Sequence, residues 1–101
     1  MHLLHPHHIK ELAQFSFFRK EYLSSQQARV LRLFATQDLL YKDVASIIGR
    51  DVKTVEKHVN SITRKYRNFY GATEQNASFR RILCRAASYY FFNDVGEDIE
   101  E

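Results

Sequence analysis

Lys53, Thr54, Glu56, Lys57, Asn60, Ser61, Arg64 and Lys65 return at intervals of three and four residues, the spacing that gathers side chains on one side of a helix. Together they bring four cations, two hydroxyls, one amide and a single carboxylate. Such a set suits the major groove of DNA, where Lys and Asn read base edges while Thr, Ser and further cations hold phosphates. Glu56 is the exception, since phosphate repels it, yet it can accept a hydrogen bond from a cytosine amino group. A charged helix face can equally be a solvated one.

No other constellation competes. His2, His5, His7 and His8 cluster around Pro6, but a chain end supplies neither rigid geometry nor a nearby acidic or thiolate co-ligand, so no metal is expected. Cys84 is the only cysteine, which excludes an intrachain disulfide framework and a cysteine-based zinc cluster within one chain. Its place between Leu83 and Arg85 predicts a buried structural thiol near the inward side of a helix. With no nucleophile motif, phosphate-cradling glycine loop or carboxylate pair, neither catalysis nor a cofactor is expected. Arg80, Arg81 and Arg85 form a polar side that can meet a DNA backbone or stand in solvent.

The charge distribution points the same way. Nine Lys and Arg face three Asp and Glu between residues 50 and 93, whereas residues 94–101 hold five carboxylates and no cation, within a net charge of +3. The basic surface therefore belongs to the second half, which permits an anionic partner. No apolar run approaches the ~18 residues of a membrane span, and residues 1–22 have no secretory pattern, so a cytoplasmic protein is expected without membrane contact. One domain accounts for 101 residues. Eight Phe and six Tyr in so small a core suggest aromatic surface covered by a second subunit.

Three Gly and one Pro leave few breakers, which predicts an all-α fold of about five helices. The first runs from Pro6 to about Tyr22 with Ile9, Leu12, Ala13 and Phe17 inward and Phe18 as a further candidate. The second is capped by Ser24 or Ser25, buries Ala28, Val30, Leu31, Phe34 and Ala35, and stops near Thr36 to Asp38. The third starts at Leu40 or Tyr41, turns Val44, Ala45, Ile47 and Ile48 inward, and ends at Gly49. Asp51 caps the fourth, from 51 to 66, whose inner face is Val52, Val55, Val59, Ile62 and Tyr66. After a polar connection, Phe79, Ile82, Leu83, Ala86 and Tyr90, with Phe91 as a further candidate, define the last. The acidic end from Asp94 reads as frayed.

The run Leu23-Ser24 through Val30-Leu31-Arg32-Leu33, then Lys42-Asp43-Val44-Ala45, Gly49, Lys53-Thr54-Val55, His58-Val59 and Arg64-Lys65, resembles the LuxR/GerE-type helix-turn-helix domain of bacterial transcription regulators. The likeness spans about residues 23–66 and is densest from Val44 to Tyr66, where no gap is needed. It implies that the helix from Asp51 to about Tyr66 enters the major groove with Glu56, Lys57 and Asn60 facing bases. Lys53, Thr54, Ser61, Arg64 and Lys65 would then sit toward phosphates, and His58 matches a common histidine of the family. It also implies dimerisation through the last helix, which places Phe79, Ile82, Leu83, Ala86 and Tyr90 at a subunit seam.

The chain departs from the family at several points. Gln26 and Gln27 stand where an Arg-Glu pair is usual, the turn from Thr36 to Leu40 is one residue longer and lacks glycine, and Arg67 to Asn76 replaces a short Leu-Gly-Val linker. The expectation is thus a standalone regulator: a helical extension (1–22), a domain (23–93) that binds double-stranded DNA as a homodimer, and an acidic tail (94–101). The alternative is a protein-interaction module of the same fold that pairs with RNA polymerase, a sigma factor or another regulator.

Overall fold

The computed structural model describes residues 16–18 and 22–97, with side chains through Phe91. All regular structure among these residues is helical: α1 (Ser25–Thr36), α2 (Tyr41–Ile48), α3 (Val52–Tyr70), a 3-10 turn (Gly71–Glu74) and α4 (Phe79–Glu97). The helix expected from Pro6 lies mostly outside the described residues, as do the four N-terminal histidines.

The local chemistry of each helix end follows from its sequence. Ser24 caps α1, its hydroxyl accepting from the Gln27 amide at 3.1 Å while the Gln27 carboxamide oxygen accepts from the Ser24 amide at 3.2 Å, the reciprocal arrangement of a capping box. At α2 only half of that device exists, because Leu40 has no side-chain acceptor; the Asp43 carboxylate takes the Leu40 amide at 2.9 Å. Gly49 ends α2 in the left-handed region, at φ 71° and ψ 36°, where a Cβ would crowd the following carbonyl. Asp51 then caps α3.

α3 is four residues longer than its sequence suggests. Nothing between Arg67 and Tyr70 breaks a helix, and Phe69 and Tyr70 pack on the core, so the last turn forms where a linker was expected. The break comes at Gly71, with φ 73° and ψ −152°, a backbone region that is essentially closed to residues with a side chain and costs them about 1–3 kcal/mol. Arg67 fastens the connection that follows, its Nε and Nη2 donating to the Ala77 carbonyl at 3.0 and 2.8 Å. The Ser78 hydroxyl accepts from the Arg81 amide and starts α4.

One core joins these pieces. Val30 and Leu31 of α1, Val44 and Ala45 of α2, Val55, Val59, Ile62 and Tyr66 of α3, and Ile82, Ala86 and Tyr90 of α4 are all buried. Phe17 and Phe18 complete it from before α1. The Phe17 ring lies 5.0 Å from Tyr66 and 5.7 Å from Phe69, and Phe18 lies 5.3 Å from Tyr89, within the range where aromatic pairs attract beyond simple area burial.

Several expectations need correction. Val52 begins its helix with little packed beyond it and is 37% exposed. Ile47 is likewise exposed, on the outer side of α2, and so is Phe91, which stands outside the buried set of α4. Cys84 is exposed rather than buried, because two residues on a helix is about 200° of rotation and its neighbours Ile82 and Ala86 point into the core. The acidic stretch is helical at first, since α4 runs through Asp94 to Glu97. Ile82 and Ala86, expected at a subunit seam, are completely buried inside their own chain, and Tyr90 nearly so. Phe79 and Leu83 are partly buried against that same core.

Candidate nucleic-acid interface

The valines of α3 decide which of its sides is free. Val55, Val59, Ile62 and Tyr66 recur at three and four and are at most 5% exposed, so they hold the helix to the body of the domain. Lys53, Glu56, Lys57, Asn60 and Arg64 fall on the remaining side, and all five are exposed. That face therefore presents three cations, an amide and one carboxylate to solvent.

Thr54, Ser61 and Lys65 are half-buried and differently engaged. The Thr54 hydroxyl donates to Asp51 Oδ1 at 2.7 Å, and its amide reaches the same oxygen at 3.0 Å. Thr54 thus completes the helix cap. Ser61 and Lys65 lie at the edge that meets α1, where a single residue gathers them: the Gln27 amide nitrogen donates to the Ser61 hydroxyl at 2.8 Å, and Lys65 Nζ donates to Gln27 Oε1 at 2.8 Å. Gln27 had no assigned role in the sequence, although the Ser24-x-x-Gln27 capping pattern marked it as an ordered position. Being neutral, it orients Lys65 without cancelling its charge.

Three ionisable groups on or beside this helix are tuned. Hydrogen bonds from the Thr54 hydroxyl and amide hold the Asp51 carboxyl below its ordinary pKa. Its contribution to stability is therefore present above the usual carboxylate range and is lost only as pH falls through the lowered value. Burial first, and then Arg50, push His58 below its ordinary 6.5. The fold thus favours the neutral imidazole, whose contribution is present above 6.5 and is lost as pH falls through the lowered value. Burial also raises the Tyr41 phenol, with the Glu56 carboxylate adding to the effect.

Arg85 of α4 is not free for a ligand. Its Nη1 donates to the buried Tyr66 hydroxyl and lies 3.4 Å from Glu74 Oε2. Arg81 approaches the same carboxylate at 3.9 Å, and Arg80 is exposed. Among the described residues no cluster of His, Cys, Asp or Glu could hold a metal ion, and no helix is long and apolar enough to cross a membrane.

Comparison with protein-family models, curated proteins and solved structures yields no match to this chain.

Proposed function

We propose that the chain binds double-stranded DNA in a sequence-specific manner, as a homodimeric transcription regulator with a helix-turn-helix of the LuxR/GerE type made by α2 and α3. One observation carries the reading: Lys53, Lys57, Asn60 and Arg64 stand exposed along the side of α3 opposite its buried valines. A helix anchored by one stripe and cationic on the other meets the major groove without rearrangement. The tight link through Gly49, the Asp51 cap and the likeness of residues 23–66 to that family favour the same assignment.

In this reading Lys57 donates to guanine O6 and N7, Asn60 pairs with the N6 and N7 edge of adenine, and Glu56 accepts from cytosine N4. Lys53 and Arg64 neutralise phosphates, joined by Lys65 in the orientation that Gln27 sets. Thr54 and Ser61 act through the helix cap and the α1 contact, with their remaining hydrogen-bonding capacity turned to the backbone. Because Ile82 and Ala86 are enclosed within one chain, a second copy would meet the apolar surface that α4 leaves outside, chiefly Phe91, which is 81% exposed.

Selection from a random duplex library by gel shift tests the proposal. The expected product is an imperfect palindrome whose half-sites lie about 34 Å apart, centre to centre. Binding that is indifferent to sequence, with no motif enriched, would argue against a specific regulator.

A further inference from the structure

The C-terminal half of α3 and the 3-10 turn enclose an open groove of about 710 Å³. Asn60, Thr63, Arg64, Arg67, Asn68 and Gln75 line it, with Gly71 and Ala72 between them. All six side chains are polar, two are guanidinium groups, and no carboxylate is among them. We propose that this groove is a clamp for phosphodiester groups, which extends the contact with duplex DNA beyond the base-reading part of α3 onto the backbone flanking each half-site. The inference rests on the DNA-binding reading given above and adds a second site to it.

Three features build the clamp. Arg67 is held in place by its two hydrogen bonds to the Ala77 carbonyl, which use two of the five N–H groups a guanidinium carries and leave a pre-oriented donor set. Glu74, the carboxylate nearest in the turn, is drawn away by Arg85 and Arg81, and its side chain is only 12% exposed. Gly71 offers backbone without a side chain, and nothing lies within 4 Å of the place a Cβ would occupy, so a phosphate can approach the main chain closely.

The distance along the helix selects the ligand. Asn60 and Arg64 belong both to the exposed face of α3 and to the groove, so the two surfaces are continuous. From Asn60 to Asn68 the helix rises about 12 Å, so with Asn60 at a base edge, Asn68 and the 3-10 turn lie beyond the base-reading residues, where the nearest anionic groups of a duplex are backbone phosphates.

Asn68→Asp and Gln75→Glu place a carboxylate in the groove at exposed positions, and thermal melting of each variant checks that the fold is kept. The selected duplex is used in two lengths, one with about ten flanking base pairs on each side and one trimmed to the half-sites. Each variant should bind the long duplex about threefold to tenfold more weakly, with unchanged preference among sequences and a much smaller loss on the trimmed duplex. Wild-type affinity of both variants for the long duplex, or an equal loss on both lengths, overturns the clamp and leaves the base-reading face of α3 untouched. Failure of the wild-type chain to bind any duplex removes both proposals together.

Discussion

Phe17→Ala is expected to lower the stability of the domain by about 3–5 kcal/mol, the usual cost of removing a fully buried aromatic ring. Phe17 has no exposed surface and sits among Phe18, Tyr66, Phe69 and Tyr70 with ring centroids 5.0 to 6.4 Å away. Small domains have only about 5–15 kcal/mol in total, so much of the folding free energy depends on a residue outside the likeness to a DNA-binding domain. Urea unfolding measures the effect, with Leu40→Ala as the control: Leu40 is 63% exposed and its truncation should change stability by no more than about 0.5 kcal/mol. Equal midpoints for the two variants would mean that the segment before Leu23 is not part of the folded unit.

Substitutions on the outer face of α3 should separate base reading from backbone binding. Lys57→Ala and Asn60→Ala each remove a group proposed to make a bidentate base contact, worth about 1–3 kcal/mol of discrimination, or about 5- to 150-fold between the preferred and the mismatched base. Non-specific affinity should change little for Asn60→Ala. Lys53→Ala and Arg64→Ala should instead weaken all duplexes alike and reduce the slope of log affinity against log salt by about 0.9 each, one released counterion per lost phosphate contact. All four residues are exposed, so stability should be almost unchanged. Equal losses in all four with unaltered base preference would refute the division of labour.

The helices from Ser24 to Tyr66 are legible in the sequence because their signals agree. A serine cap at 24 or 25, the left-handed Gly49, the Asp51 cap and the spacing Val55, Val59, Ile62, Tyr66 are each readable alone, and each has its place in the fold, with Ser24 as the cap. The exposure of Lys53, Lys57, Asn60 and Arg64 follows directly from the burial of those apolar residues. What lies beyond Tyr66 is harder to read, because Phe69 and Tyr70 fit a loop anchor as well as a last helical turn, and the rings they meet, Phe17, Tyr22 and Tyr66, are brought to them by the tertiary fold.

Tertiary neighbours account for the remaining differences. Ser61 and Lys65 lie on the polar side of α3 by spacing alone, and nothing local reveals that Gln27 of α1 reaches them. A buried apolar stripe has the same pattern whether its own chain or a partner covers it, so Ile82 and Ala86 were readable as apolar contacts but not as internal ones. In α4 the apolar residues from Phe79 to Phe91 occupy more than one side, which obscured that Cys84 lies opposite Ile82 and Ala86.

The central claim is that the exposed side of α3 occupies the major groove. Dimethyl sulfate protection on the selected duplex tests this directly, because the reagent attacks guanine N7 in the major groove and adenine N3 in the minor groove. Protection of guanine N7 within each half-site, lost in Lys57→Ala while adenine N3 stays reactive, is the predicted result. A bound complex in which guanine N7 remains fully reactive, or in which protection appears at adenine N3 alone, would contradict it.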